Sequence, residues 1–72
     1  MEIIHITTEY IKLQDLLKLA NLVSTGGEAK LAILDGEAKV NGEVCAQRGK
    51  KIRPGDAVLF RGRELTVAYA DQ

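Results

Sequence analysis

Cysteine is almost missing from this chain. Cys45 stands alone, so no internal disulfide can form and a reducing compartment, the cytoplasm, is the expected setting. A single cysteine beside a strand reads as a small core filler, not as a nucleophile. Histidine is equally scarce. His5 has neither a cysteine nor a second histidine at ligand spacing, so it reads as a half-exposed strand residue and no metal is expected. Tryptophan is absent and only Tyr10, Phe60 and Tyr69 are aromatic, which leaves Leu, Ile and Val to fill the core. With so few rings, stacking of bases along a single strand of nucleic acid is disfavoured. No apolar run is long enough to span a membrane, and the N-terminal residues lack the basic start and apolar stretch of a signal peptide. No Ser-His-Asp or Cys-His arrangement occurs, and no glycine-rich loop ends in Lys-Ser or Lys-Thr. Catalysis and a cofactor are therefore not expected.

Net charge is also lacking: ten basic residues balance ten acidic ones. The distribution is uneven, however. Residues 1–37 carry three basic against six acidic side chains, and residues 38–72 carry seven against four. Within 47–63, Arg48, Lys50, Lys51, Arg53, Arg61 and Arg63 face Asp56 alone. A patch of that sign can hold phosphate although the whole molecule is neutral, while the plainer reading is a solvated loop.

What is present is enough for one small domain, spanning 1–72. Of 72 residues, 46% are apolar, which excludes a disordered chain. A domain this short buries only about 60% of the surface its unfolded chain exposes, so it has little interior to spend on a substrate pocket.

The stretch from Val23 to Glu43, VSTGGEAKLAILDGEAKVNGE, organises the rest. Thr25 suits a helix N-cap, with Glu28 three residues on completing a capping box. Ala29, Ala32, Ile33 and Gly36 follow at helical spacing, and Gly36 suits a left-handed stop. Ala38 and Val40 alternate around Lys39, and Asn41-Gly42 supplies the positive φ angles of a type I′ hairpin turn, with Glu43 to Cys45 returning. Before this stretch, Glu2 to Ile6 reads as a strand. Leu13, Leu16, Leu17 and Ala20 form the stripe of a first helix running on to a break at Ser24, so the connection to the second helix should be two or three residues. After it, QRGKK (Gln47 to Lys51) reads as an exposed basic loop, and Pro54-Gly55 as a turn. Ala57 to Phe60 and Leu65 to Tyr69 are two more strands, around a turn at Arg61-Gly62-Arg63, with Val58, Phe60, Leu65, Val67 and Tyr69 pointing inward. The string is β-α-α-β-β-β-β, an α+β fold of two helices on a small, mostly antiparallel sheet.

Three features then converge on an anion. The second helix opens with backbone N–H groups at Gly26, Gly27 and Glu28, where the helix dipole favours negative charge. Lys30 lies one turn in and Lys39 on the next strand. Arg48, Lys50 and Lys51 follow in a loop able to reach the same side. The glycine pair has two readings of equal weight: a tight entry into the helix, or close backbone approach to a ligand. Glu37 and Glu43 read as solubilising residues around the hairpin.

LLKLANLVSTGGEAK, AKVNGEV and RGKKIRPGD together closely resemble the S-four RNA-binding domain, the αL-motif module named after a small-subunit ribosomal protein, and in particular its short free-standing bacterial members. The resemblance runs from about Tyr10 to Phe60. It implies an RNA-binding protein whose RNA lies on the helix-loop-helix and the following hairpin. It also implies that Lys12, at the start of the first helix, and Thr25, at the start of the second, belong to the site with Gly26, Gly27, Lys30, Lys39, Arg48, Lys50 and Lys51. Two positions depart from the pattern. Gly26 stands where many members carry Arg, as is typical of the free-standing branch, and implies backbone contact instead of a side-chain clamp. Gln47 stands where that branch often carries Arg, and removes one charge. The expected partner is structured RNA, ribosomal RNA or the ribosome included, bound by a monomer with no membrane association. Two rivals remain. VNGE followed by PGD also occurs in β-grasp sulfur carriers, which need a C-terminal Gly-Gly where this sequence reads Ala70-Asp71-Gln72. A protein-interaction module docking a partner through the hairpin is the other.

Overall fold

The computed structural model describes residues 2–70, so the last two residues of the Ala70-Asp71-Gln72 ending lie outside it. The elements run β1 (Glu2–Ile6), β2 (Ile11–Lys12), α1 (Leu13–Leu19), α2 (Gly26–Leu34), β3 (Ala38–Val40), β4 (Glu43–Val44), β5 (Lys51–Ile52), β6 (Ala57–Phe60) and β7 (Arg63–Tyr69). The α+β architecture and every strand expected from the sequence are present. Two short strands, β2 and β5, are added. The main sheet has the order β1-β7-β6-β3-β4. Its pairs are antiparallel except β1 with β7, which run parallel with Ile4 opposite Val67.

Period-two burial decides which face of the sheet is covered. Ala38, Val40, Val58, Phe60, Leu65 and Val67 point to one side and are buried. They meet Leu13, Leu16 and Leu17 from α1 and Ala29, Ala32 and Ile33 from α2 in a single cluster. The small alanines of α2 lie in that cluster, where the helix packs against α1. Tyr69 corrects the expectation from sequence: it shares the inward parity of Leu65 and Val67 but is 56% exposed. The β6 ladder ends at Thr66, so by Tyr69 only β1 still flanks the strand, and the ring has nothing to pack beneath.

Both helices end in the same device. After α2, Gly36 takes φ +80°, its N–H donates to Ile33 O and that of Glu37 to Ala32 O, a Schellman stop. After α1, Asn21 takes φ +59°, its N–H donates to Lys18 O and that of Leu22 to Leu17 O. Asparagine tolerates the left-handed region better than most side chains. The first helix therefore stops at Leu19, and the connection is 20–25 instead of two or three residues. Buried Val23 pins that connection to the core.

The turns follow local chemistry. Asn41 and Gly42 take φ +51° and +88°, as the hairpin demands. Asn41 does more: its Oδ1 accepts the Ala57 N–H at 2.9 Å and its Nδ2 donates to Asp56 Oδ1 at 3.1 Å. The β6–β7 turn is the two residues Arg61 and Gly62, at φ +49° and +80°, and Arg63 already belongs to β7. Arginine in a left-handed position is strained, and a tether described below offsets it.

Candidate nucleic-acid interface

The start of α1 is where the basic residues gather. Lys12, its N-cap, makes no side-chain cap, so the free N–H groups of the first turn need other acceptors. They find them in the basic loop: Leu13 N–H donates to Lys50 O at 2.9 Å and Gln14 N–H to Arg48 O at 3.1 Å. β2 and β5 then pair antiparallel, with Lys12 opposite Lys51 and Ile11 opposite Ile52. Ile52 is fully buried and anchors the loop to the core. Thus QRGKK is not free: its last residue is in a strand and its carbonyls cap a helix. The expectation from sequence aims this loop at the start of α2, but its hydrogen bonds go to α1, because that is the helix without a capping side chain.

Lys12, Arg48, Lys50 and Lys51 are all exposed, and among the described residues none of them is in an ion pair. Lys51 Nζ lies 5.0 Å from the centre of the Tyr10 ring, a cation–π contact that orients one ammonium group. Like charges directly opposite on a ladder cost stability, on the order of 0.2–1 kcal/mol. The Lys12–Lys51 pairing therefore works against the fold.

The other basic residues of the 47–63 stretch divide. Arg61 is tethered to both ends of the α2 region. Its Nε donates to Glu37 Oε1 at 2.7 Å, its guanidinium lies 3.6 Å from Glu28 Oε2, and it stacks 4.8 Å over the Phe60 ring. The hydrogen bond from Arg61 holds the Glu37 carboxyl below its ordinary pKa, and Glu37 raises that of Arg61 in return. Arg63 donates through Nε to Glu2 Oε2 at 2.8 Å, closing β7 onto β1. Both arginines are neutralised by partners remote in sequence, and Glu37, read as a solubilising residue, is half of a tether. Arg53, in contrast, is exposed and its own N–H donates to Asp56 Oδ2.

The start of α2 is capped as the sequence indicates. Thr25 Oγ1 accepts the Glu28 N–H at 3.1 Å. The Glu28 carboxylate reaches one residue further back than a standard capping box and accepts the Ser24 N–H at 2.8 Å. Neither Gly26 nor Gly27 has a left-handed φ. A Cβ on Gly26 would meet nothing within 4 Å, and one on Gly27 only Thr25 Oγ1 at 3.9 Å. Nothing in the fold requires glycine there, which counts against the tight-entry reading. Lys30 is exposed on α2. Lys39 is not brought to that side. It alternates with buried Ala38 and Val40, so it points away from the helices, between Val44 and Leu59 on the outer face of the sheet.

The expected site residues thus form one tight group (Lys12, Arg48, Lys50, Lys51), a second at the start of α2 (Thr25, Gly26, Gly27, Lys30), and Lys39 on the outer sheet face. Tyr10, beneath Lys51, is not singled out by the sequence; an aromatic residue two before a lysine that starts a helix carries no local signal for a contact with residue 51. No group of three or more His, Cys, Asp or Glu side chains among the described residues could hold a metal. No described helix is long and apolar enough to cross a membrane.

Comparison with known proteins agrees with the fold. The chain is 40% identical over 58 residues to YbcJ of Escherichia coli (strain K12), covering 81% of this chain and 83% of that protein. The solution structure of YbcJ, described as revealing an αL motif involved in RNA binding, superposes with a TM-score of 0.73 at 35% identity over 94% of this chain and 87% of that one. The "Probable ribosome maturation protein RlbA" of Bacillus subtilis (strain 168) is 42% identical over 59 residues, 82% of this chain and 83% of that protein. The 30S ribosomal protein S4e of Thermoplasma acidophilum shares the fold, with a TM-score of 0.68 at 23% identity over 92% of this chain and 35% of that one. The S4 domain model matches residues 4–68, and with these relatives it shows that the chain belongs to the S4 domain family.

Proposed function

We propose that this protein is a non-catalytic RNA-binding module that holds structured RNA, ribosomal RNA foremost, through its phosphates and shape. The observation that carries this reading is the Lys12–Lys51 pair. Two lysines face each other across a ladder of two residue pairs, with Arg48 and Lys50 beside them and no acidic partner among the described residues. Such an arrangement costs the free protein stability and suits a row of phosphates. The glycine start of α2 adds backbone donors that a phosphate can approach. Few aromatic residues accompany the cations, which favours a folded RNA over an extended single strand. An αL motif involved in RNA binding in YbcJ and the ribosome-maturation name of RlbA support the same reading. The protein acts in the cytoplasm as a monomer, which size-exclusion chromatography with light scattering checks.

Fluorescence anisotropy against a labelled ribosomal RNA stem-loop, repeated at several salt concentrations, tests the function, with an unstructured strand of equal length as control. Tighter binding to the stem-loop that weakens steeply with salt is expected. Binding to neither RNA at low salt refutes it. Salt-insensitive binding to a protein would instead support the interaction-module rival.

A further inference from the structure

Among the described residues, Lys51 is the one cation of the Lys12, Arg48, Lys50 and Lys51 group whose charge the fold locates. Its backbone is fixed on both sides: Leu13 N–H donates to Lys50 O at 2.9 Å, and Ile52 is fully buried. Burial alternates along β5, so Lys51 points outward where Ile52 points in. Directly across the ladder stands Lys12. Tyr10, two residues before Lys12, is the diagonal neighbour of Lys51. The ammonium group takes that diagonal, with Nζ over the Tyr10 ring and 5.0 Å from its centre. Resting on the RNA-binding reading, we propose that Tyr10 is a positioning residue of the interface, whose ring holds the Lys51 ammonium so that Lys51 and Lys12 meet phosphates as a preset pair.

With its backbone fixed, what remains loose in Lys51 is the four-carbon stem, and its rotamer freedom is what contact with a phosphate would take away. A ring face attracts a cation through its quadrupole and leaves the charge whole. A carboxylate would cancel that charge, as Glu37 and Glu28 do for Arg61. An ammonium has three N–H donors, and those turned away from the ring stay open to a phosphate oxygen. The ring is itself held in place. Thr8 Oγ1 donates to Tyr10 O at 2.7 Å, and the next residue, Ile11, packs against the core. Tyr10 is half-buried and not one of the core residues, so replacing it should leave the fold intact.

A double-mutant cycle tests this role, with Kd for the ribosomal RNA stem-loop read by anisotropy at one fixed salt concentration. Tyr10→Leu keeps an apolar side chain and removes the ring, whereas Tyr10→Phe keeps the ring and removes the hydroxyl. Ordering one long side chain on binding costs about two- to tenfold in affinity. Tyr10→Leu should weaken binding by about that factor, and Tyr10→Phe should bind like the wild type. In a Lys51→Ala background Tyr10→Leu should change nothing further, which separates action through Lys51 from a structural role or direct contact of the ring with RNA. NMR of the free protein supplies a readout that needs no RNA. The Lys51 methylene protons beside Nζ should show an upfield ring-current shift in the wild type and Tyr10→Phe, and lose it in Tyr10→Leu. Wild-type affinity in Tyr10→Leu, an equal loss in the Lys51→Ala background, an equal loss in Tyr10→Phe, or absence of the ring-current shift overturns the inference and leaves the RNA-binding reading standing. Failure of the wild type to bind RNA at low salt overturns both.

Discussion

Replacing Gly26 by alanine should move stability and RNA binding in opposite directions. On the stability side, Gly26 opens α2 with an ordinary negative-φ backbone, and an added Cβ meets no atom within 4 Å. Alanine then introduces neither strain nor collision, and it restricts the unfolded chain, a gain of about 0.4–1 kcal/mol. For a domain of this size each 1 kcal/mol raises Tm by about 4–8 °C, so a rise of about 2–8 °C is expected. On the binding side, the methyl group stands where a phosphate oxygen would approach the first N–H groups of the helix. Losing one hydrogen bond to a charged group costs about 1.5–3 kcal/mol, and each 1.4 kcal/mol is about tenfold in Kd. Thermal unfolding by circular dichroism and anisotropy with the stem-loop measure both quantities on the same sample. A stabilised variant that binds RNA as well as the wild type would show that the start of α2 does not touch the ligand. A destabilised variant would contradict the open space around Gly26.

Other outcomes test other parts of the structure. If Lys12, Arg48, Lys50 and Lys51 each meet one phosphate of a duplex stem, log Kobs against log salt should have a slope near −3.6, or about 10²-fold in affinity between 50 and 200 mM; a slope near zero refutes the cluster. Lys30→Ala, or a double change of Lys50 and Lys51 to alanine, should weaken RNA binding while the unfolding midpoint in urea stays close to that of the wild type, since these side chains are exposed. Asn21→Ala should lower stability by about 1 kcal/mol because alanine tolerates the left-handed stop of α1 poorly, and Asn21→Gly should not; urea denaturation distinguishes them. Arg61→Ala should let the Glu37 carboxyl titrate nearer its ordinary pKa of 4.5, read by carboxyl NMR. Because the folded-state value is depressed, the tether contributes stability above pH 4.5 that fades as pH falls through that depressed value. The variant should lose this part of the acid dependence, and an unchanged titration would show the tether is not formed in solution.

How much of the molecule is legible in its residue order depends on the reach of each interaction. The Thr25 cap, the Gly36 stop, the Asn41-Gly42 hairpin and the Pro54-Gly55 turn each rest on backbone geometry within four or five residues, and all can be read from the sequence. So can the RNA-binding character, through three motifs that keep their spacing. The left-handed stop at Asn21 is local too, but asparagine marks it less plainly than glycine does, so the first helix reads four residues too long.

Tertiary structure alone decided the rest. β2 and β5 are ladders of only two pairs joining residues forty apart, too short for any periodicity to announce. Their pairing exists because buried Ile52 and the uncapped start of α1 need those partners. Packing also decided which cations remain free. Arg61 and Arg63 look like members of the basic patch until the β6–β7 turn brings them to Glu28, Glu37 and Glu2, whereas Lys12 and Lys51 are brought together instead of apart. Turn and cap chemistry is short-ranged, so residue order suffices to determine it. The sign of a surface patch depends on which distant side chains meet, and only the folded chain determines that.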